Sequence, residues 1–159
     1  MFIKPDYNLK SIYEISIEDL KNDGVEVVLF DLDSTIMASK SGCYTQKTKE
    51  WLDDLQKHFK VAVVSNNTKK DYIEKVKCVS DFPLLFCAHK PDTKHVKNFL
   101  CKQNFDVDKC VLVGDRPLTD ILCGKLLGCK TILVDSITAE TEAPIVRFVR
   151  QLERLSIRK

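Results

Sequence analysis

Seven polar residues at the ends of four apolar runs carry the chemistry this chain can do. Asp31 and Asp33 follow VEVVLF (25–30), and Ser65 and Asn66 close VAVV (61–64). Lys90 follows LLFCA (84–88), and Asp115 and Asp120 follow VLVG (111–114). Carboxylates gathered in one crevice repel each other unless a cation sits among them. Carboxylate oxygens are the donors Mg²⁺ prefers, whereas Ser65 and Lys90 suit a phosphate group. In DLDST (31–35) a period of two puts Asp31 and Asp33 on one side and Leu32 on the other. One carboxylate can then attack phosphorus, while the other gives a proton to the leaving oxygen and later activates water. Mg²⁺ would screen the repulsion between a dianionic phosphate and the attacking carboxylate. Taken singly, each residue has an ordinary reading. A strand-end Asp is usually a turn or cap, Ser65 and Thr119 suit caps, and a lone Lys90 suits a solvated surface. Caps alone do not explain acids, serine and lysine ending successive apolar runs.

The elements that must position these residues alternate. Ser16 caps a short helix to Asn22, stopped by Gly24. The run at 25–30, nearly continuously apolar and rich in valine, then predicts a strand covered on both faces. A polar loop spans 38–46, and Trp51, Leu52, Leu55 and Phe59 predict a helix over 48–58. A strand at 61–65 follows, then a helix over 68–77 capped by Thr68. A third strand is expected at 84–88, followed by a helix with Val96, Phe99 and Leu100 on its apolar face. A fourth strand at 111–114, a helix over 118–127, a fifth strand at 131–135 and a helix from Pro144 complete the order. Repeated β-α units with short connections argue for an α/β fold, a mostly parallel sheet with helices on both faces. All seven polar residues then share its carboxyl edge, where such sheets bind ligands.

A chain of 159 residues fits one domain: an arm and helix (1–24), a motif-bearing core (25–135) and a C-terminal amphipathic helix (144–158). The net charge of +2 is too small to argue for nucleic acid, and none is expected as a partner. No apolar run is long enough to form a transmembrane segment. MFIKPDYNLK (1–10) resembles neither a secretory signal nor an Arg/Ser-rich transit segment. The seven cysteines form no CxxC pair, and His58, His89 and His95 complete no zinc pattern. Their odd number and apolar surroundings favour buried thiols in a reducing compartment.

The ordered set resembles the haloacid dehalogenase superfamily of phosphohydrolases, class IIIA. DxDx[TV] is matched by Asp31 to Thr35, the Ser/Thr by Ser65, the Lys by Lys90, and GDxxxTD by Gly114 to Asp120. The resemblance implies a Rossmann-like three-layer fold without a cap domain, with 38–46 as a flap beside the site. It implies Asp31 as nucleophile and metal ligand, and Asp33 as general acid/base with its carbonyl on Mg²⁺. Asp115 becomes a metal ligand, Thr35 and Asp120 supporting residues, and Ser65, Asn66 and Lys90 phosphate-binding residues. A narrower resemblance is to the YqeG-like phosphatidylglycerophosphate phosphatases. It is carried by PxYxxKSIYEI (5–15), SNN (65–67), HKP (89–91) and GDRPLTDILCGKLLGCKTILV (114–134). Ser34 departs from it, standing where that group has Asn.

This narrower resemblance implies dephosphorylation of phosphatidylglycerophosphate to phosphatidylglycerol, on the route to cardiolipin. The partner would be a phosphorylated glycerophospholipid at an anionic membrane surface. The location would be cytoplasmic or on the mitochondrial matrix side, peripheral to the membrane. A soluble sugar phosphate, a nucleotide or a phosphoprotein fits the same motifs, and a receiver-like phospho-acceptor domain is the alternative outside hydrolysis.

Ile145, Phe148, Val149, Leu152 and Leu155 form one stripe of the last helix, and Arg147, Arg150, Arg154 and Arg158 a basic side. The ordinary expectation packs the stripe on the sheet with the arginines in water. Such a helix can also lie on an anionic bilayer. Phe2, Ile3, Tyr7, Ile12 and Tyr13 suit a second contact surface or an arm packed on the domain.

Overall fold

The computed structural model describes residues 3–137 and 144–157, with 146 and 147 by backbone alone. Six strands form one sheet: β1 (Tyr7–Asn8), β2 (Val27–Phe30), β3 (Lys60–Val64), β4 (Leu84–Leu85), β5 (Cys110–Gly114) and β6 (Lys130–Leu133). The spatial order is β1-β6-β5-β2-β3-β4, and every pairing is parallel. The helices are α1 (Ile17–Asn22), α2 (Gln46–Leu55), α3 (Lys70–Val79), α4 (Lys94–Lys102), α5 (Leu122–Leu127) and α6 (Pro144–Arg154).

Alternation along the strands builds two cores. Val28, Phe30, Val61, Val63, Val111 and Val113 pack with α1, α2 and α3 through Leu20, Leu52, Leu55, Tyr72 and Val76. The intervening Val27, Leu29, Ala62, Val64 and Leu112 pack with α4 and α5 through Val96, Phe99, Leu100 and Leu127. Both faces are therefore covered, and the β-branched runs follow from that burial. Buried Cys110, Cys123 and Cys129 belong to the second core, and burial pushes the Cys110 thiol up to about 12. The chain passes from β2 outward through β3 and β4, then returns to place β5 on β2's other side. Phe30 is in register with both Val63 and Val113, so the polar ends of these three strands meet at the switch point.

Five features differ from the sequence reading. The N-terminal arm supplies a sixth strand, β1, pairing Tyr7 with Ile132 and Asn8 with Leu133. Ile3 and Ile12 are buried and Tyr7 and Tyr13 pack on the core, so the arm is docked; Phe2 lies outside the described residues. β4 stops at Leu85 because Cys87 takes φ 54°. The N–H groups of Cys87 and Ala88 turn to the carbonyls of Asn67 and Ser65. α3 starts at Lys70 rather than Thr68, because Asn67 Oδ1 accepts the Lys69 N–H at 2.9 Å. The helix expected over 118–127 opens with a π turn, Pro117–Ile121.

The fifth difference is the orientation of α6. Its apolar stripe faces outward, with Ile145 72% and Leu155 73% exposed and Phe148, Val149 and Leu152 also exposed. Its polar side faces the protein. Glu153 is buried and pairs with Arg116 at 2.6 Å. Arg154 pairs with Asp135 at 2.8 Å and donates to the Val134 carbonyl at 3.0 Å. The expectation of an apolar stripe on the sheet is thereby corrected. Both sheet faces are already filled, and α6 meets the polar carboxyl edge, where charged partners favour its arginines and glutamate. The side chain of Arg147, and Arg158, lie outside the described residues.

Candidate active site

The β2–β5 ladder continues one step past the strand, and the Asp31 N–H donates to the Val113 carbonyl at 2.9 Å. That fixes Asp31 at the switch point. Buried Leu32 anchors the turn behind it, its carbonyl accepting from the N–H groups of Thr35, Ile36 and Met37 at 3.2–3.3 Å. Ser34 takes φ 67° to make this turn.

One ammonium joins two of the acids. Lys90 Nζ donates to Asp31 Oδ1 at 2.8 Å and to Asp120 Oδ1 at 2.7 Å. The Thr35 hydroxyl lies 3.1 Å from Asp115 Oδ1 and 3.3 Å from Asp31 Oδ2, donating to one or the other. Single oxygens of Asp31, Asp115 and Asp120 lie within 4.8 Å of one another. Burial opposes the charge on Lys90, but Asp120 and Asp31 outweigh it and raise its pKa. Burial and the Asp31 charge raise Asp120 against the opposing pull of Lys90. Three carboxylates around one ammonium leave an unmet demand for positive charge. Arg150 answers part of it from α6, its guanidinium in ion-pair contact with Asp115 Oδ2. Accommodating a cation there, with these hard oxygen donors, is what a Mg²⁺ site requires.

Asp33 lies outside this cluster. Its Oδ1 accepts from the Tyr72 hydroxyl at 2.5 Å and the Lys40 N–H at 3.3 Å, and its Oδ2 from Asn67 Nδ2 at 3.3 Å. Burial and then this hydrogen bond raise the Tyr72 phenol, so it stays a donor. The loops after β3 and β4 are clasped together. Asn66 Nδ2 donates to the Lys90 carbonyl at 2.9 Å, and Asn66 Oδ1 accepts the Lys90 N–H at 2.8 Å. Ser65 is buried, its Oγ accepting the Asn67 N–H at 3.1 Å. The structure thus gathers Asp31, Thr35, Lys90, Asp115 and Asp120 directly. It sets Asn66 behind Lys90 and holds Asp33 on the α3 side.

Gly114 permits the last of these contacts. A Cβ there would lie 2.2 Å from Asp120 Oδ2, and Asp120 reaches this point through the π turn and an Arg116 N–H at 3.1 Å. Gly114→Ala is expected to drive Asp120 off Lys90. Thermal unfolding should show a loss of about 2–3 kcal/mol, and an unchanged melting temperature would refute the packing argument.

Sequence reasoning missed Tyr72, Asn67 and Arg150 as members of this region. Tyr72 shares the apolar face of α3 with Val76 and reads as core. Its position in the first turn, next to the carboxyl edge, is the signal that distinguishes it.

A family model described as mitochondrial PGP phosphatase matches residues 1–138. A Bacillus subtilis (strain 168) protein named "Probable phosphatase YqeG" is 34% identical over 157 residues, covering 96% of this chain and 88% of that protein. An Arabidopsis thaliana protein named "Phosphatidylglycerophosphate phosphatase 1, chloroplastic/mitochondrial" is 31% identical over 165 residues. That match covers 96% of this chain but 46% of the plant protein, so the chain spans about half its length. Among solved structures, a HAD-like family hydrolase from Porphyromonas gingivalis superposes with TM-score 0.58 at 11% identity, over 80% of this chain and 98% of that one. That similarity establishes the shared fold.

Proposed function

The chain belongs to the mitochondrial PGP phosphatase family, within the haloacid dehalogenase superfamily, and on that premise we propose that it hydrolyses phosphatidylglycerophosphate to phosphatidylglycerol and phosphate. What carries the reading is the acidic cluster around Lys90, with one reachable corner. Asp31 is 14% exposed, while the side chains of Lys90, Asp115 and Asp120 are each 1% exposed. Asp31 is therefore the carboxylate a substrate meets, held by a buried ammonium.

In the first step Asp31 attacks phosphorus and the bond to the leaving oxygen breaks, with Asp33 giving that oxygen its proton. In the second, Asp33 takes a proton from water as the water oxygen attacks the aspartyl phosphate, freeing Asp31 and inorganic phosphate. Tyr72 and Asn67 orient Asp33. Lys90 and Ser65 hold the phosphoryl oxygens. Asn66 contributes its backbone N–H, its amide being committed to the Lys90 backbone. Asp31 and Asp115, with the Asp33 carbonyl, would hold Mg²⁺, and Asp120 supports them. Bound there, Mg²⁺ supplies charge neutralisation between the phosphate dianion and the carboxylates.

The lipid surface is supported by α6, whose outward apolar stripe suits the interfacial layer of a bilayer. No helix among the described residues is long and apolar enough to cross one. The protein would then work peripherally, on the cytoplasmic or mitochondrial matrix side, as a single domain. The test is phosphate release from phosphatidylglycerophosphate in mixed micelles against glycerol 3-phosphate and a nucleotide monophosphate. We expect the lipid to be preferred, EDTA to stop release and Mg²⁺ to restore it. Equal rates on all three esters would reject the lipid; EDTA-resistant release would reject the metal.

A further inference from the structure

The acidic cluster takes the phosphoryl group, which leaves open where the rest of the substrate sits. A cavity of about 800 Å³ opens beside Asp33, lined by Lys40, Lys69, Lys70, Tyr72 and Lys75 among others. Of the acids proposed for chemistry, only Asp33 reaches it; Asp31, Asp115 and Asp120 do not line it. A general acid must stand beside the oxygen it protonates. The leaving group therefore departs on the Asp33 side, into this cavity.

Its charge is the unusual feature. Among the described residues, Lys40, Lys69, Lys70 and Lys75 form no ion pair. Beyond Asp33, Asp71 is the one acid on the wall, so the cavity is net positive. Two of the lysines belong to the frame of the site. The Lys40 N–H is hydrogen-bonded to Asp33. The Lys75 stem packs against Gly42 so closely that a Cβ there would lie 3.1 Å from its Cδ. α3 also starts at this wall with no side-chain cap, leaving first-turn N–H groups open to an anion. A plain alcohol leaving group has no use for this concentration of positive charge.

We propose that the lysine-walled cavity beside Asp33 is a subsite for a second anion on the leaving group, the phosphodiester of a glycerophospholipid head. This rests on the phosphatase reading and adds what selects its substrate. Lys40, Lys69, Lys70 and Lys75 are the specificity-determining residues; they attract and orient the head group while Asp31 and Asp33 act on the terminal ester. Such charges act on binding and encounter more than on the bond-breaking step.

Three substrates separate the possibilities: glycerol 3-phosphate with one anion, soluble glycerol 1,3-bisphosphate with two, and phosphatidylglycerophosphate in vesicles. The wild-type protein should prefer both two-anion esters in kcat/KM, with a preference that falls as salt rises. In the combined variant Lys69→Ala, Lys70→Ala, Lys75→Ala, that preference should drop roughly tenfold through KM, with kcat for the two-anion esters largely kept. Lys70→Glu alone should move it in the same direction. A preference for the lipid without one for the bisphosphate overturns the second-anion subsite, because the acyl chains would then be what is recognised. An unchanged preference in the variants overturns the lysine assignment. Wild-type protein inactive on all three esters removes the phosphatase reading and the proposal with it, an outcome distinct from activity without preference.

Discussion

Asp31→Asn should abolish phosphate release and leave the fold intact. The amide keeps the size of the carboxylate and can hold the position next to the Val113 carbonyl, where the Asp31 backbone is fixed. It has no anionic oxygen to attack phosphorus, so kcat should fall by roughly 10⁴-fold or more. Stability should not suffer. Lys90 retains Asp120 at 2.7 Å, and one of three mutually repelling acids has gone. A melting temperature equal to or above the wild-type value, with no turnover, is the expected pair of results. Turnover within tenfold of wild type would remove Asp31 as the nucleophile.

Lys90→Met should instead cost stability and activity together. Methionine fills much of the volume but leaves Asp31 and Asp120 without their ammonium. Breaking a buried pair in this way typically costs about 3–5 kcal/mol. The pH dependence gives the cause away. In the wild type the Lys90 pKa is raised above its ordinary value of 10.5, so its contribution is present below that value and lost as pH rises through the folded pKa. In the variant, the Asp120 carboxyl, already raised by burial and Asp31, is raised further. The folded state then holds a proton that the unfolded state releases, and stability falls as pH rises above the ordinary carboxylate range. The gap between variant and wild type should therefore be largest near neutrality and shrink toward acid pH. A gap independent of pH between 4 and 8, roughly the window set by the carboxylate pKa values, would mean that lost packing rather than lost charge is responsible.

The legible part of this protein is the part where chemistry and secondary structure coincide. DLDST, Ser65 and GDxxxTD each follow a run of buried residues and Lys90 a half-buried one, and the parallel sheet brings all of them to one edge. Ser34 was visible only as a departure from its relatives' pattern. Its φ of 67° supplies the reason, since Asn tolerates the left-handed region better than Ser. β1 was not legible because two residues carry no periodicity, and its partner β6 lies more than a hundred positions away. The orientation of α6 was hidden for a different reason. An amphipathic pattern states that two faces differ but not which one meets protein, and here the receiving surface is polar.

β1 has a consequence for how the chain reaches this state. β6 pairs with β5 along one side, and without the arm its other side would present a row of unpaired backbone groups. Such an edge recruits strands from other molecules. Asp6, accepting from the Thr131 N–H at 2.8 Å and pairing with Lys125 at 2.9 Å, fastens the arm along that edge. The Ile3 N–H, donating to the Ser156 carbonyl at 2.7 Å, ties it to the segment after α6. The arm can dock only once β6 has joined the sheet. The arm is thus among the last parts to settle, and until it does the molecule carries an open template for aggregation.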